Sequence, residues 1–126
     1  MKKSTVKEKD MTPLEHYVTR QKGTEPPFSH PYWNKTDKGC YYCLCCETKL
    51  FDSEDKFTFK SGWPAFDRPA DQEVVLLRPE LGWFSAAQEV LCGTCQAHLG
   101  HMFESNETTG MHFCINGTAL RFKTPE

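Results

Sequence analysis

The feature that most constrains the fold of this chain is the spacing of its cysteines. CxxC spacing occurs at Cys40/Cys43, Cys43/Cys46 and Cys92/Cys95. In proteins outside the secretory pathway, this spacing indicates metal ligation or redox chemistry before structural disulfides. Two such pairs brought together complete a tetrahedral site of four thiolates, the usual arrangement of structural zinc. We therefore expect a domain in which one metal ion joins two distant segments.

The spacing alone leaves the ligand set open. The first pair could be 40/43 or 43/46, and the cysteines could instead be buried thiols or redox motifs. A rival metal site would take all its ligands from "CGTCQAHLGH", namely Cys92, Cys95, His98 and His101. That rival leaves the first pair without a metal, so four cysteines are the better interpretation.

Cys114 lies outside the pairs and is a candidate nucleophile. It occupies "HFCIN", a predicted strand, with Asn116 two residues on and therefore on the same face. A lone strand cysteine is more often a core residue. His98 and His101 change this interpretation, because imidazoles exchange protons near neutrality and a thiolate beside them is a competent nucleophile.

The sequence leaves open the directions in which the side chains of the two histidines and of Trp63 point. HxxH spacing directs side chains to opposite faces of a strand, so His98 and His101 converge only if Leu99-Gly100 makes a turn. Trp63 stands between Gly62 and Pro64, a rigid turn that could expose the indole. The set of residue types suggests a substrate with a soft apolar end and a polar atom that needs protonation.

Composition excludes several classes of protein. The 126 residues fit one domain, and a formal net charge of -2 without a basic cluster argues against nucleic-acid binding. No apolar run approaches the roughly 20 residues that cross a bilayer, and "MKKSTVKEKDM" has no apolar segment after its lysines. We expect a cytoplasmic monomer that binds neither nucleic acid nor membrane.

The chain should fold as one mainly β domain over residues 12–126, preceded by a disordered tail, 1–11. One short helix is predicted in "TPLEHYVTRQKG", with Thr12 as N-cap and Glu15 completing a capping box. After Thr24 the sequence has the short aromatic and β-branched runs typical of strands. Asn116-Gly117 predicts a hairpin between "MHFCI" and "TALRFK".

Four sequence blocks resemble one known family, the methionine sulfoxide reductases that act on the R epimer, MsrB. The blocks are "YYCLCCETKLF", "KFTFKSGWPAF", "EVLCGTCQAHLGHMF" and "TGMHFCINGTALRF". The resemblance extends from about Gly23 to Phe122. It implies two antiparallel sheets braced by a structural zinc, and it selects the metal ligands Cys43, Cys46, Cys92 and Cys95.

The same resemblance implies the roles of the site residues. The Cys114 thiolate would attack the sulfoxide sulfur of an oxidised methionine, free or in a protein, while His101, helped by His98, protonates the departing oxygen. Methionine would leave and the cysteine would become a sulfenic acid. Asn116 would orient the histidines or a water. Two residues, Trp63 and Phe113, would bind the substrate.

The chain departs from this family at several positions. Ser61 stands where some members carry the resolving cysteine, so resolution would fall to Cys40, Cys45 or an external reductant, thioredoxin-like or another thiol. His112 and Ala87 stand where arginine is usual, and Ser105 where aspartate is usual. These changes bear on rate and substrate preference more than on the fold.

An alternative function is a non-catalytic binding module on the same zinc-braced scaffold. Trp33, Trp63 and Trp83 could form an aromatic cage for a small ligand or a protein partner. Such a module has no need of Cys114, Asn116 and the paired histidines, so their presence favours the reductase.

Overall fold

The computed structural model describes residues 10–79, 87–105 and 110–125. It contains one α-helix and nine β-strands in this part of the chain. They are α1 (Pro13–Arg20), β1 (Cys40–Cys43), β2 (Lys49–Asp52), β3 (Lys56–Phe57), β4 (Ala65–Phe66), β5 (Val75–Pro79), β6 (Gln88–Cys92), β7 (His98–Ser105), β8 (Gly110–Ile115) and β9 (Leu120–Lys123). Short 3₁₀ turns separate several of them.

The helix begins as its sequence predicts. The Thr12 hydroxyl accepts from the Glu15 backbone N–H, and the Glu15 carboxylate accepts from the Thr12 N–H, so the capping box is confirmed. Met11, which we assigned to the tail, is buried, and its sulfur accepts a hydrogen bond from Thr19. Residues 1–9 lie outside the described part, so the disordered tail stays a prediction.

The strands form two antiparallel sheets, which confirms the predicted fold class. The smaller sheet has the order β2-β1-β9, and the larger has the order β3-β4-β8-β7-β6-β5. The two sheets pack through aromatic rings: Phe51 of β2 stacks on Phe66 of β4 at 4.3 Å, and Tyr41 of β1 meets Phe66 edge-on at 5.2 Å. These rings are fully buried, so most of the stabilising apolar burial lies between the sheets.

The hairpin predicted at Asn116-Gly117 is wrong. Strand β8 pairs with β4 and β7 in the larger sheet, whereas β9 pairs with β1 in the smaller one. A 3₁₀ turn over Gly117–Ala119 carries the chain between the sheets. The backbone N–H groups of Gly117 and Thr118 bond to the Glu25 carboxylate, a distant partner that local sequence does not reveal.

Candidate active site and metal centre

Each CxxC pair lies in a tight turn between two hairpin strands. The first turn joins β1 to β2 and the second joins β6 to β7. Both close with the same hydrogen bond, from Glu47 N–H to Cys43 O and from Gln96 N–H to Cys92 O. Glu47 and Gln96 have positive φ values of 64° and 62°. The two turns are therefore built alike, and neither uses the glycine that usually occupies this conformation.

The two turns bring four sulfur atoms together. The ligand atoms of Cys43, Cys46, Cys92 and Cys95 all lie within 4.8 Å of one another. The Cys43–Cys95 and Cys46–Cys92 sulfur pairs are 3.7 and 3.5 Å apart. A tetrahedral metal with sulfur ligands at about 2.3 Å requires sulfur–sulfur distances of about 3.8 Å. All seven cysteines are free thiols, so the spacing fits a metal centre and not a pair of disulfides.

The rival metal site is not formed. His98 Nδ1 lies 2.8 Å from the Glu89 carboxylate, and neither His98 nor His101 joins a metal-ligand cluster among the described residues. Cys40 also lies outside the cluster, with its thiol 3.7 Å from the Asp52 carboxylate. The cluster therefore contains the first pair that the resemblance selected, Cys43 and Cys46, which spacing had left open.

A cavity of about 240 Å³ lies on one face of the larger sheet and contains Cys114. Most of its lining surface is apolar. It is lined by Thr24, Trp63, Ala87, Gly100, His101, Phe103, Cys114 and Asn116. Four of the predicted site residues are thus brought together: the candidate nucleophile, one histidine, the asparagine and the tryptophan.

Strand register places His101 beside the cysteine. Residues paired across antiparallel strands share a face, and the pairing runs from Glu89 on β6 to His101 on β7, Cys114 on β8 and Ala65 on β4. Gly100 permits the close approach of β7 and β8, because a Cβ there would overlap the Cys114 carbonyl oxygen. Because His101 and Cys114 are neighbours across the strands, direct exchange of a proton between the imidazole and the thiol is geometrically feasible.

A β-bulge brings the two histidines to one side. Val90 pairs with Gly100 and Leu91 with His98, so Leu99 is an extra residue on β7. The bulge reverses the strand alternation, and the His98 and His101 rings lie 5.5 Å apart, edge to face. The convergence predicted through a turn at Leu99-Gly100 is therefore achieved by a bulge within the strand.

His98 is held from behind by a buried carboxylate. Its Nδ1 lies 2.8 Å from Glu89 Oε2, and Lys22 Nζ lies 3.4 Å from Glu89 Oε1. Burial lowers the pKa of His98, although Glu89 opposes the shift. Burial alone would raise the pKa of Glu89, but His98 and Lys22 together leave it lowered. At neutral pH, a neutral His98 therefore donates its Nδ1–H to an ionised Glu89.

The Cys114 thiol is largely protonated at neutral pH. Burial raises its pKa to about 11; a hydrogen bond with the Ser61 side chain opposes this shift, and the charge of Glu25 adds to it. Ser61 therefore touches the sulfur from the position that the resemblance associates with a resolving cysteine. A thiol in this state needs a nearby proton acceptor before it can act as a nucleophile. His101 is its partner across the β7–β8 pair.

Two buried carboxylates of the site, Glu25 and Glu89, were missed at the level of sequence. Glu25 lies between exposed residues in a segment without regular structure, and Glu89 begins an apolar run. Asn116 was predicted to orient the histidines or a water, but its side chain bonds to the Glu25 N–H and the Leu99 carbonyl. Glu89 is the first residue of one of the four sequence blocks, whereas Glu25 lies outside all four.

The structure does not bring Phe113 into the cavity. Cys114 and Phe113 are neighbours on one strand and point to opposite faces, so Phe113 is buried against Phe51 with ring centroids 6.0 Å apart. Phe103, two residues after His101, lines the cavity instead. The cavity therefore does not support the substrate-binding prediction for Phe113, and the aromatic rings that line it are Trp63 and Phe103.

Neither candidate resolving cysteine contacts Cys114 or lines its cavity. Cys40 lies on the smaller sheet, and Cys45 is fully buried between the metal ligands.

His112 replaces a usual arginine and is buried among the rings of Phe57, Phe59 and Phe103. Ala87 lines the cavity. The Ser105 side chain lies outside the described part of the structure.

The proposed tryptophan cage is not assembled in the described part of the chain. Trp63 lines the Cys114 cavity, whereas Trp33 packs edge-on against Phe28 at 4.8 Å and is absent from that lining. Trp83 lies outside the described residues.

The described part of the chain contains no helix that is long and apolar enough to cross a membrane.

Comparison with known proteins agrees with this site. A model of the SelR domain matches residues 11–124. The chain is 41% identical over 120 residues to the peptide methionine sulfoxide reductase MsrB of Acinetobacter baumannii, covering 94% of this chain and 86% of that protein. It is 43% identical over 119 residues to the chloroplastic peptide methionine sulfoxide reductase B1 of Arabidopsis thaliana, covering 94% of this chain and 59% of that protein.

These relatives place the chain among the oxidoreductases, and its four-cysteine cluster and its cysteine–histidine cavity agree with that class. The chain belongs to the SelR domain family, in which its relatives are MsrB peptide methionine sulfoxide reductases. The resemblance read from the four sequence blocks is therefore confirmed.

Proposed function

We propose that this protein reduces methionine R-sulfoxide to methionine, with Cys114 as the nucleophile and a thiol as the final reductant. The observation that carries the proposal is the register pairing of His101 with Cys114 at the wall of a mainly apolar cavity. An apolar cavity suits the thioether end of the substrate, and the imidazole suits its oxygen.

The reaction begins with proton transfer from the Cys114 thiol to His101. The thiolate attacks the sulfoxide sulfur and the oxygen receives a proton from the imidazolium of His101. The new sulfur–sulfur bond and the S–O bond of the substrate then break as the protonated oxygen passes to Cys114. The products are a Cys114 sulfenic acid and methionine, so the cysteine supplies the two electrons. A reductant with two thiol equivalents then regenerates the cysteine and releases water.

His98 supports His101 in this scheme and is a positioning residue. Its Nδ1–H is committed to Glu89, which leaves Nε2 as the nitrogen available toward the neighbouring imidazole or a water. Within the described residues, Nε2 is buried and has no hydrogen-bond partner. A buried polar group without a hydrogen-bond partner is costly, so we expect His98 Nε2 to gain a partner during the reaction.

Trp63 and Phe103 would enclose the methyl and thioether groups. Both rings line the cavity, and Ala87 and Gly100 leave room between them. Sulfur and methyl groups pack favourably on aromatic rings, which would orient the sulfoxide oxygen toward His101. Selection of the R epimer follows if only that epimer can direct its oxygen to the imidazole while its methyl meets the rings.

The four-cysteine cluster would hold zinc as a structural ion. Four thiolates in tetrahedral spacing close the coordination shell, so the ion has no open position for substrate. The cluster joins the β1–β2 turn to the β6–β7 turn, and it thereby supports the start of β7, where His98 lies.

The proposal is tested with a peptide that carries separated R and S methionine sulfoxides and with dithiothreitol as reductant. The wild type should consume the R epimer, and Cys114→Ser should lose turnover by about 1,000-fold or more, since the nucleophile is absent. Cys40→Ser is the matched control and should retain activity. Equal rates for wild type and Cys114→Ser, or no consumption of the R epimer, would exclude the proposal.

A further inference from the structure

One buried carboxylate, that of Glu25, has no part in the reaction described above. Glu25 is 1% exposed, although Thr24 and Pro26 on either side are exposed. No lysine or arginine among the described residues forms an ion pair with it. Burying an unpaired carboxylate costs several kcal/mol unless hydrogen bonds compensate. Its retention at this position therefore requires a specific set of donors.

Those donors belong to the turn that follows the nucleophile strand. Glu25 Oε2 accepts from the Gly117 N–H at 3.0 Å, and Oε1 accepts from the Thr118 N–H at 2.8 Å and from the Thr118 hydroxyl. This turn begins directly after Asn116, two residues beyond Cys114. The side chain of Glu25 thus fixes the exit of β8.

The backbone of Glu25 holds two residues of the cavity. Its N–H donates to Asn116 Oδ1 at 2.9 Å, and its carbonyl oxygen accepts from Trp63 Nε1 at 2.9 Å. Trp63 and Asn116 come from distant parts of the chain and both line the cavity. The adjacent residue, Thr24, lines it as well. One buried residue therefore connects three separate segments around Cys114.

We propose that Glu25 is a positioning residue of the site: its carboxylate anchors the segment whose backbone holds the Trp63 indole and the Asn116 amide against the cavity. The expected effect of Glu25 on turnover rests on the proposed function. Its positioning of Trp63 and Asn116 does not depend on which reaction the cavity performs. The Asn116 contacts support it, because Asn116 Nδ2 also donates to Leu99 O at the bulge between the histidines.

The charge of Glu25 has a second consequence at the sulfur. One titratable group, His101, pairs with Cys114 across β7 and β8, and a second, Glu25, acts on the thiol through its charge. The carboxylate adds to the effect of burial in raising the pKa of the Cys114 thiol. Removal of the charge should therefore make the thiol more acidic while it loosens the cavity wall. The more acidic thiol should react at lower pH, whereas the looser cavity wall should lower turnover.

The experiment compares Glu25→Gln with wild type and with Glu73→Gln, which removes an exposed carboxylate. The first measurement is hydrogen exchange of the Trp63 indole N–H by NMR, with Trp63→Phe used to assign the signal. The second is the pH midpoint of Cys114 alkylation, followed by peptide mass spectrometry. The third determines kcat and KM separately. In Glu25→Gln, indole exchange should become severalfold faster and the alkylation midpoint should move to lower pH. Meanwhile kcat/KM should fall by up to about 100-fold.

The outcomes separate this inference from the proposed function. A wild type without turnover removes the proposed function, but the exchange and alkylation measurements still test Glu25. A folded Glu25→Gln with the wild-type exchange rate and alkylation midpoint overturns the inference, since a merely structural residue would alter only thermal stability.

A second variant covers the case in which Glu25→Gln fails to fold. Thr118→Val removes one donor and leaves the carboxylate charge in place. It should accelerate indole exchange and leave the Cys114 midpoint unchanged. Unaltered exchange in a folded Thr118→Val would also overturn the positioning role.

Discussion

His101 and Cys114 are direct partners across the β7–β8 strand pair, and their side chains therefore share one face of the larger sheet. The pairing places an imidazole next to a thiol whose pKa is raised to about 11, chiefly by burial. In the proposed reaction, the histidine accepts the thiol proton and donates it to the substrate oxygen. Five predictions follow from this arrangement and its surroundings.

Ser61→Cys should create an internal resolving thiol. The Ser61 side chain lowers the pKa of the Cys114 thiol by hydrogen bonding, so we expect a sulfur introduced at position 61 to reach Cys114. After one turnover without reductant, peptide mapping by mass spectrometry should show a 61–114 disulfide, whereas the wild type should show a sulfenic acid that reacts with dimedone. A persistent sulfenic acid in the variant would contradict the contact. The native Cys40 serves as an internal control and should stay reduced.

The reactivity of Cys114 should rise with pH toward a midpoint near 11 in the absence of substrate. Ser61→Ala should move this midpoint higher, because the lost hydrogen bond stabilised the thiolate. Iodoacetamide labelling of the Cys114 peptide measures both values, with Thr58→Ala as control. A midpoint near the ordinary value of 9.0 would contradict the burial effect.

The same shift predicts a loss of stability in alkaline solution. An unfolded cysteine ionises near 9.0 and the folded Cys114 near 11, so between these values the unfolded state releases its proton more readily. The contribution of Cys114 to the free energy of unfolding is thus complete below pH 9 and declines above it. Denaturation by urea at pH 8 and pH 10 should show this decline, and Cys114→Ala should show a smaller one.

Glu89→Gln should lower kcat/KM by roughly tenfold or more, because the charge that holds the His98 tautomer is lost. The pKa of His98 should fall further, since Glu89 raises it against the effect of burial. Glu104→Gln, an exposed carboxylate on β7, is the control. NMR of the His98 ring nitrogens reports the tautomer directly, and an unchanged spectrum with unchanged turnover would argue against the role of Glu89.

Metal removal should unfold the domain, because the binding free energy of a structural ion is part of the folding free energy. Cys92→Ser should lose the ion and lower the melting temperature by more than about 15 °C, whereas Cys40→Ser should keep both. Elemental analysis measures the metal, and circular dichroism measures the melting temperature. A chelated protein, proven free of metal, that melts like the loaded one would refute the four-cysteine centre.

Much of the local structure was readable because neighbouring residues determine it. The capping box at Thr12 and Glu15 needs only a four-residue segment, and each CxxC turn needs only five. The four sequence blocks also identified the family, and they contain the four clustered cysteines and the Cys114 and His101 of the cavity. The local features depend on residue type and spacing, whereas the family and the choice of the first cysteine pair came from the resemblance of the blocks.

Other features depended on partners far away in the sequence. Asn116-Gly117 has the composition of a hairpin turn, yet the Glu25 carboxylate takes up the next two backbone donors and the strands enter different sheets. The bulge at Leu99 changes which face each histidine occupies, and no local signal distinguishes it from a turn. Phe113 was assigned to the substrate although strand alternation directs it into the core.

The sequence by itself determined which chemical groups are present and which of them can share a short turn or a metal ion. Tertiary structure decided which groups meet: Ser61 with Cys114, Glu89 with His98, and Glu25 with the exit of β8. The physical reason is that a buried carboxylate or thiol is tolerated only where the assembled fold supplies its hydrogen-bond partners. Those partners come from segments that local propensity does not connect.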